Sequence, residues 1–233
     1  MSISRFFVSK DEIKGDSVSI TDRETLKHIK TLRLGPKEKV IILDGNSEYE
    51  AEIGTCLPNC VQTHILSQKD IPRLGVNITL FQGIPKHPKM EKVVEAMASL
   101  GIAEIVPLLC ERSVAKGMRL ERLQKIAYSS ALSGRLTKIS EITNLYSLKR
   151  PEEETLILVA WEKEKKRRMK DLLPLSKPNI WVTIGPEGGL TNKEVAYLEG
   201  LGGIPISIFE TILKTEYAGL ILISAILYEL SAI

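Results

Sequence analysis

The chain has 233 residues, of which 43% are hydrophobic and 26% charged, so it can form a sizeable core and is not a disordered chain. Its net charge of +3 is small, so any contact with nucleic acid must come from local basic patches. Cys56, Cys60 and Cys110 cannot form a complete disulfide set, and no Cys or His pair follows at zinc-binding spacing. We therefore expect free thiols in a reducing cytoplasm, no metal, and no signal peptide, since the N-terminus lacks a basic region followed by an apolar one.

The first part of the chain, residues 1–71, predicts a small domain built mainly from short strands. Runs rich in β-branched and aromatic residues are separated by turns, and one helix is expected around Glu24–Leu32. The predicted strands are Arg5–Val8, Ser17–Ile20, Val40–Leu43, Tyr49–Ile53 and Val61–Leu66. The segment Ile71-Pro72-Arg73-Leu74-Gly75 predicts a linker to a second domain, residues 74–233.

From Val76 onward strand and helix patterns alternate, which is typical of a parallel sheet with helices on both faces. The predicted strands are Val76–Phe81, Ile105–Leu109, Thr155–Ala160, Ile180–Ile184 and Ile206–Ile208, and the predicted helices are Lys89–Leu100, Leu120–Leu132, Asn192–Leu201 and Tyr217–Ile233. The last helix is almost wholly apolar but shorter than the about 20 residues that a membrane span needs. We expect it to be buried in the core or in an oligomer interface.

The strand at Ile180–Ile184 ends in the glycine loop Gly185-Pro186-Glu187-Gly188-Gly189, which precedes a helix that Thr191 or Asn192 can cap. In open α/β sheets, ligands bind at this end of the strands. Two glycines permit positive φ and a close approach to the backbone, and the proline stiffens the turn. No phosphate-binding glycine motif is present, and the glutamate disfavours phosphate. The loop therefore predicts a site for a neutral or cationic ligand.

This loop, read with Ile212-Leu213-Lys214-Thr215-Glu216-Tyr217-Ala218, resembles the signature pair of the bacterial RsmE family, which methylates N3 of a uridine in 16S ribosomal RNA with S-adenosylmethionine. Further matching segments follow in family order along nearly the whole chain: Arg5–Val8, His28–Leu34, Val40–Gly45, Gln82–Lys86, Met90–Lys92, Leu100–Ile102, Pro107–Leu108, Glu111–Val114 and Ser133–Arg135. The resemblance implies a PUA-like β-barrel N-terminal domain that binds RNA, residues 1–71. It also implies a trefoil-knotted SPOUT α/β methyltransferase domain with a parallel sheet, residues 74–233, and a homodimer joined through the C-terminal helix.

The resemblance also assigns roles to individual residues. Lys214, where the family has arginine, is expected to stabilise charge that develops on the uracil, and Arg135 is the second catalytic candidate. S-adenosylmethionine is expected in the loops Ala160–Glu162, Ile184–Gly189 and Ile206–Leu213, against Ala160, Trp161, Glu162, Ile184, Gly185, Pro186, Glu187, Gly188, Gly189, Ile208, Ile212 and Leu213. RNA contacts are expected from Arg5, Lys30, Arg33, Arg112, Lys165, Arg167 and Arg168. The last three belong to the basic run 163–170, which also fits a solvated helix face.

Several positions of the family pattern are changed in this chain. Phe209 replaces a glycine, Tyr217 a threonine and Lys214 an arginine, and polar family residues are absent at Ala96 and Leu132. Two alternatives therefore stay open: a non-catalytic RNA-binding protein on the same scaffold, and a SPOUT methyltransferase that acts on transfer RNA or on a ribose hydroxyl. The small N-terminal β domain and the order of the motifs favour ribosomal RNA.

Overall fold

The computed structural model describes residues 3–70, 75–115, 117–132, 138–139, 143–172 and 177–230. The described residues before position 71 form one unit, and nearly all of those after position 74 form a second. The predicted linker at 71–75 lies, apart from Gly75, outside the described residues, as do the last three positions of the predicted C-terminal helix.

The first unit is a six-stranded sheet with one α-helix. Its strands are β1 (Ser4–Phe7), β2 (Ile13–Lys14), β3 (Ser17–Ile20), β4 (Lys39–Leu43), β5 (Ser47–Leu57) and β6 (Cys60–Asp70), and its helix is α1 (Arg23–Thr31). The strand order is β1-β4-β5-β6-β3-β2, in which β1 and β4 are parallel and the other neighbours antiparallel. Inward-facing residues such as Phe6 and Ile42 pack with Leu26 and Ile29 of α1 in one core. The five predicted strands and the helix are confirmed, although β5 and β6 extend further through polar residues than alternation alone predicts.

The second unit is built on a parallel sheet, as the alternating pattern predicts. Its strands are β7 (Asn77–Gly83), β8 (Glu104–Leu109), β9 (Lys138–Ile139), β10 (Thr143–Asn144), β11 (Thr155–Ala160), β12 (Asn179–Ile184) and β13 (Gly203–Ile206). Their order is β10-β8-β7-β12-β11-β13, with β9 also paired to β8, and every pair is parallel. The helices are α2 (Lys89–Leu100), α3 (Leu120–Ala131), α4 (Asn192–Gly200) and α5 (Thr215–Glu229).

Neighbouring strand residues point to opposite faces of this sheet and join different cores. Leu80 and Leu158 belong to the core formed with α2, α3 and α5, whereas Phe81 and Val159 belong to the core formed with α4. Helices therefore cover both faces. The prediction of a strand at Ile206–Ile208 is wrong in its bounds, because the residues that pair with β11 are those from Gly203 to Ile206.

Helix α5 is apolar, but only part of its surface is buried. Leu222, Ile223 and Leu227 are almost fully buried, whereas Tyr217 and Tyr228 are 46% and 74% exposed. The helix starts two residues earlier than predicted, because Lys214 takes the N-cap position. Within the described ranges, no helix combines the length and hydropathy that crossing a membrane requires.

Candidate functional site

Three neighbouring parallel strands end together at one edge of the second sheet. Ala160, the last residue of β11, pairs with Ile184 at the end of β12 on one side and with Ile206 at the end of β13 on the other. Because parallel strands present their carboxyl ends at the same edge, the three loops that follow these strands meet there. This is the edge at which ligands bind in open α/β sheets.

The three loops and the start of α5 enclose a cavity of about 470 Å³, a size typical of small-molecule sites. All twelve residues predicted to bind the cofactor line it: Ala160, Trp161, Glu162, Ile184, Gly185, Pro186, Glu187, Gly188, Gly189, Ile208, Ile212 and Leu213. Lys165 and Lys214 line it as well. Ser207, Phe209, Glu210 and Thr211 also line it and lie within the loop Ile206–Leu213 that the sequence assigned to the cofactor, whereas Lys89, Thr215 and Ala218 were missed. Thr215 and Ala218 belong to the signature segment, which could have indicated them, whereas no sequence signal pointed to Lys89.

The glycine loop is shaped by close packing against β7. The amide of Gly189 donates a hydrogen bond to the carbonyl of Pro186 at 2.9 Å, which closes a tight turn. Of the two final glycines only Gly189 has positive φ, at 68°. A Cβ atom on Gly83, at the end of β7, would lie only 2.5 Å from the amide nitrogen of Pro186. Glycine at position 83 therefore lets the loop lie directly against the strand.

Thr215 links the glycine loop to β7 and to α5. Its hydroxyl donates to the carbonyl of Gly185 at 2.6 Å and accepts from the amide nitrogen of Gln82 at 2.9 Å. Gln82 is fully buried and also donates to the carbonyl of Gly83 at 3.0 Å. Buried polar groups are stabilising only when they are paired, so this network fixes the position of the loop relative to the first turn of α5.

A second link to the loop is ionic. The ammonium of Lys89, the first residue of α2, lies 3.0 Å from Glu187 and 3.5 Å from Glu216. The Glu187 carboxylate also accepts from the backbone amide of Lys86 at 3.0 Å. Burial alone would raise the pKa of Glu187, but these hydrogen bonds outweigh it and hold the pKa below its ordinary value. The hydrogen bond to Glu187 likewise raises the pKa of Lys89.

Arg112 supports the loop from a third direction. Its guanidinium donates to the carbonyl of Gly188 at 2.9 Å, so this predicted RNA-binding residue is at least partly engaged in holding the loop. The turn that carries Arg112 is itself held by Glu194, a fully buried residue of α4. The Glu194 carboxylate accepts from the amides of Glu111 and Thr191, each at 2.8 Å. The second of these bonds belongs to the capping box that starts α4.

Lys214 occupies the N-cap position of α5 and its side chain is exposed at the cavity wall. A cation there lies at the positive end of the helix dipole, which is electrostatically unfavourable for the isolated helix. The same arrangement attracts a negatively charged group, because the lysine ammonium and the free backbone amides of the first turn both carry positive charge at this end of the helix. Among the residues that the structure describes, no side chain forms an ion pair with Lys214 within 4.0 Å.

The profile of the RNA methyltransferase domain matches residues 72–227, more than half of the chain, and this region contains every residue of the cavity. The chain belongs to this family of RNA methyltransferases. Among curated relatives, the ribosomal RNA small subunit methyltransferase E of Bacillus subtilis is 25% identical and that of Rickettsia conorii 27%. These alignments cover 97% of this chain and 97% and 96% of the two relatives. The resemblance to the RsmE family is thereby confirmed.

Solved structures show the same fold over nearly the whole chain. A ribosomal RNA small subunit methyltransferase E from Neisseria gonorrhoeae, bound to S-adenosyl methionine, superposes with a TM-score of 0.86 at 24% identity, over 97% of this chain and 98% of that one. A protein from Legionella pneumophila assigned as a methyltransferase, in complex with the cofactor SAM, gives 0.84 at 25% identity over 98% of both chains. The predicted fold class of this RNA methyltransferase is confirmed.

The remaining predicted residues of the methyltransferase are not among those that line the cavity, or they fall outside the described ranges. Arg135 falls outside them. In the first unit, Arg5 pairs with Glu48 at 3.1 Å and Lys30 donates to the carbonyl of Pro58 at 3.1 Å, while Arg33 is exposed. Lys165 lines the cavity, and Arg167 and Arg168, which come shortly after it in the sequence, are exposed.

The basic run 163–170 does not form the solvated α-helix that was one interpretation of its sequence. Its middle is a turn in which the amides of Lys166 and Arg167 donate to the Glu164 carboxylate at 2.7 and 3.1 Å. Only its end, from Met169, enters a short 3-10 helix. The turn is favoured because it gives these amides an acceptor before a helix can form. In the described part of the chain, no three His, Cys, Asp or Glu side chains are placed to hold a metal ion.

Proposed function

We propose that this chain transfers the methyl group of S-adenosylmethionine to N3 of a uridine in 16S ribosomal RNA. The observation that carries the proposal is the cavity at the ends of β11, β12 and β13, whose wall also carries the exposed ammonium of Lys214. The relatives named ribosomal RNA small subunit methyltransferase E and the neighbours solved with S-adenosyl methionine support the same function.

The residues of the cavity fit the cofactor in size and in charge. The volume of about 470 Å³ suits a nucleoside-sized ligand, and the glycine-rich wall exposes backbone groups that can hydrogen-bond to it. Glu162 and Glu187 add carboxylates to the wall, which favours a cationic sulfonium over a phosphate. When bound, S-adenosylmethionine supplies an electrophilic methyl group. The protein's part is to hold the donor and the base in line and to exclude water.

In the transfer, N3 would give its proton to water and its electron pair would form the bond to the methyl carbon as the C–S bond breaks and the neutral thioether leaves. Lys214 would stabilise the negative charge that develops on the uracil ring. A preorganised donor in a partly dry site is worth much more for this purpose than one in water. Lysine provides a compact charge without the planar fork of the family arginine, so it contacts one oxygen at a time. Arg135 is proposed as a second clamp on the base or on its phosphate.

The target uridine must be unpaired or flipped out, because N3 is buried within a base pair. Residues 1–71 are proposed as the RNA-binding domain, with Arg5, Lys30 and Arg33 as contacts. In the methyltransferase domain, residues 74–233, contacts come from Arg112, Lys165, Arg167 and Arg168. Phosphate contacts of this kind position the RNA without reading its sequence. A ribosomal RNA substrate also implies that the protein works in the cytoplasm.

The exposed side of α5 supports a homodimer. Tyr217, Ile221, Ala225 and Tyr228 follow one another at helical spacing, and none of the four is buried. Such a stripe of apolar and aromatic residues on an otherwise packed helix is typical of an interface. A two-fold symmetric dimer is the commonest closed arrangement for a chain with one such surface.

The decisive experiment maps modified nucleotides in 16S ribosomal RNA from cells with and without this gene product. We expect one N3-methyluridine to disappear on deletion and to return when the wild-type gene is supplied. Purified protein with isotopically labelled cofactor should methylate RNA or small subunits from the deletion strain. Label found on transfer RNA or on a ribose hydroxyl instead would favour the differently targeted methyltransferase. Cofactor binding with no methylation of any of these RNAs would favour the non-catalytic RNA-binding protein.

A further inference from the structure

A second groove lies beside the cofactor cavity and shares one wall with it. The groove has a volume of about 510 Å³, and the loop from Ile208 to Thr211 borders both hollows. Its other wall is formed by Arg168, Met169 and Lys170, at the end of the basic run. A strand of RNA that delivers a base to the cavity can therefore continue directly into this groove.

The two walls are joined by backbone hydrogen bonds, so the groove has a defined shape. Arg168 and Ser207 form a parallel β-bridge, and the amide of Ser207 donates to the carbonyl of Arg167 at 2.9 Å. The Ser207 hydroxyl donates to the carbonyl of Phe209 at 3.0 Å, which fixes the next turn of the loop. The basic run and the cavity loop are thus joined by backbone pairing.

The groove combines an exposed aromatic ring with exposed cations. Phe209 is 56% exposed, although burying a phenylalanine ring is ordinarily favourable. Lys170 is exposed, and Arg168 forms an ion pair with Glu210 at 3.0 Å in which the glutamate side chain is 82% exposed. Exposed pairs of this kind contribute little, so a phosphate can displace the carboxylate at small cost.

We propose that this groove binds the single-stranded RNA next to the target uridine, with a flanking base stacked on Phe209 and its phosphate held by Arg168 and Lys170. Aromatic rings alternating with cations are the usual surface for single-stranded nucleic acid, since every base has a face that can stack. The proposal rests on the proposed function, because the flanking nucleotide is defined by the uridine in the cavity. It makes Phe209, which stands where the family pattern has glycine, a positioning residue that this pattern does not contain.

The test compares three substitutions of Phe209 in the full-length protein. Base stacking on an aromatic residue is worth about 5- to 150-fold in affinity, so Phe209→Ala and Phe209→Leu should raise the KM for RNA within that range. Phe209→Trp keeps an aromatic face and should retain a KM within about 3-fold of the wild type by the same reasoning. Val114→Ala, which removes an exposed apolar side chain that lines neither hollow, is the matched control and should leave the KM for RNA unchanged.

Cofactor affinity, measured by calorimetry, separates this role from a collapse of the shared loop. Because Phe209 borders both hollows, the KM for RNA is measured at saturating cofactor, and a loss of cofactor affinity in Phe209→Ala as large as the rise in KM would overturn the proposal. Equal KM values for Phe209→Leu and Phe209→Trp would do the same, because a merely apolar wall would not need a ring. The double variant Arg168→Ala/Lys170→Ala should reduce the slope of log affinity against log salt by about 1.4, as expected for two lost phosphate contacts to single-stranded RNA. An unchanged slope would remove the phosphate site.

A binding measurement keeps this test independent of catalysis. The indole introduced by Phe209→Trp should be quenched by a short single-stranded oligouridylate, with the wild-type protein, which retains Trp161 and Trp181, as the reference. If the wild type methylates ribosomal RNA but no additional quenching occurs, the groove assignment fails while the proposed function stands. If the wild type methylates no uridine although quenching occurs, the proposed function fails while RNA binding in the groove stands.

Discussion

The hydroxyl of Thr215 and the carbonyl of Gly185 lie 2.6 Å apart, and this hydrogen bond connects the first residue of α5 to the glycine loop. Because Lys214 is the next residue back along the chain, the same bond also sets the position of the proposed catalytic ammonium relative to the cofactor cavity. The geometry of donor and base therefore depends on a buried polar contact as well as on the groups that touch the ligands.

Removing this hydroxyl should destabilise the glycine loop and weaken cofactor binding without abolishing it. In Thr215→Val the carbonyl of Gly185 loses its donor and Gln82 loses an acceptor, so we expect the free energy of unfolding to fall by about 1–3 kcal/mol. Cofactor affinity should fall with it, because the loop is no longer held against α5. Thr215→Ser keeps the hydroxyl and should restore both properties. Urea denaturation and calorimetry provide the measurements, and a stable Thr215→Val protein with full affinity would contradict this role.

Gly83 offers a test of the close approach between β7 and the loop. A Cβ atom at this position would lie 2.5 Å from the amide nitrogen of Pro186, so Gly83→Ala must displace the loop. We expect at least a tenfold loss of cofactor affinity, since 1.4 kcal/mol of strain suffices for it. Gly200→Ala is the matched control: no atom lies within 4 Å of its Cβ position, and alanine favours the end of α4. Equal cofactor affinity in the two variants would exclude a steric role for Gly83.

Much of this architecture could be predicted from sequence, and the failures have physical causes. The strand around Val159 is a continuous apolar run from Leu156 to Ala160, and strand and helix patterns alternate along this part of the chain, which is why the parallel sheet and the loops at its edge were predictable. Gly185–Gly189 could be located because it combines a strand end with a helix cap. Lys89 could not be assigned to the site, since its contact with Glu187 joins elements far apart in the chain. The bounds of β13 were missed because a four-residue strand that contains Gly203 and Pro205 has little local signal.

The ion pair between Lys89 and Glu187 makes the site sensitive to acid. The pKa of Glu187 is lowered in the folded protein from an ordinary value of 4.5, so its stabilising effect is complete above pH 4.5. That effect should be lost as the pH falls through the lowered pKa of the folded state. The free energy of unfolding measured from pH 7 down to pH 3.5 should therefore fall more steeply in the wild type than in Glu187→Gln. Glu199→Gln, which removes an exposed carboxylate from α4, should follow the wild-type curve.

The proposed dimer can be tested through the exposed stripe on α5. Tyr228 is 74% exposed in the single chain, so Tyr228→Glu should leave the fold intact but place a charge in the interface. An unpaired charge buried in an interface costs several kcal/mol, enough to convert a micromolar dimer into a monomer. Light scattering at micromolar concentration should show a dimer for the wild type and for the control Leu57→Glu, which changes an exposed residue of β5. A monomeric wild type would refute the dimer.

The prediction for Lys214 is the one that experiment can refute most directly. If its ammonium stabilises charge on the uracil, Lys214→Ala should leave cofactor affinity nearly intact and lower the single-turnover rate of methylation by about 100-fold or more. Lys214→Arg restores the family residue and should keep or raise the rate, provided that the pocket accepts the larger fork. Lys193→Ala removes an exposed lysine from α4 and controls for the loss of one positive charge. If the single-turnover rate of Lys214→Ala falls by less than a few-fold, Lys214 is only a solvated surface charge. The assignment would then move to Arg135 or to the basic run 163–170.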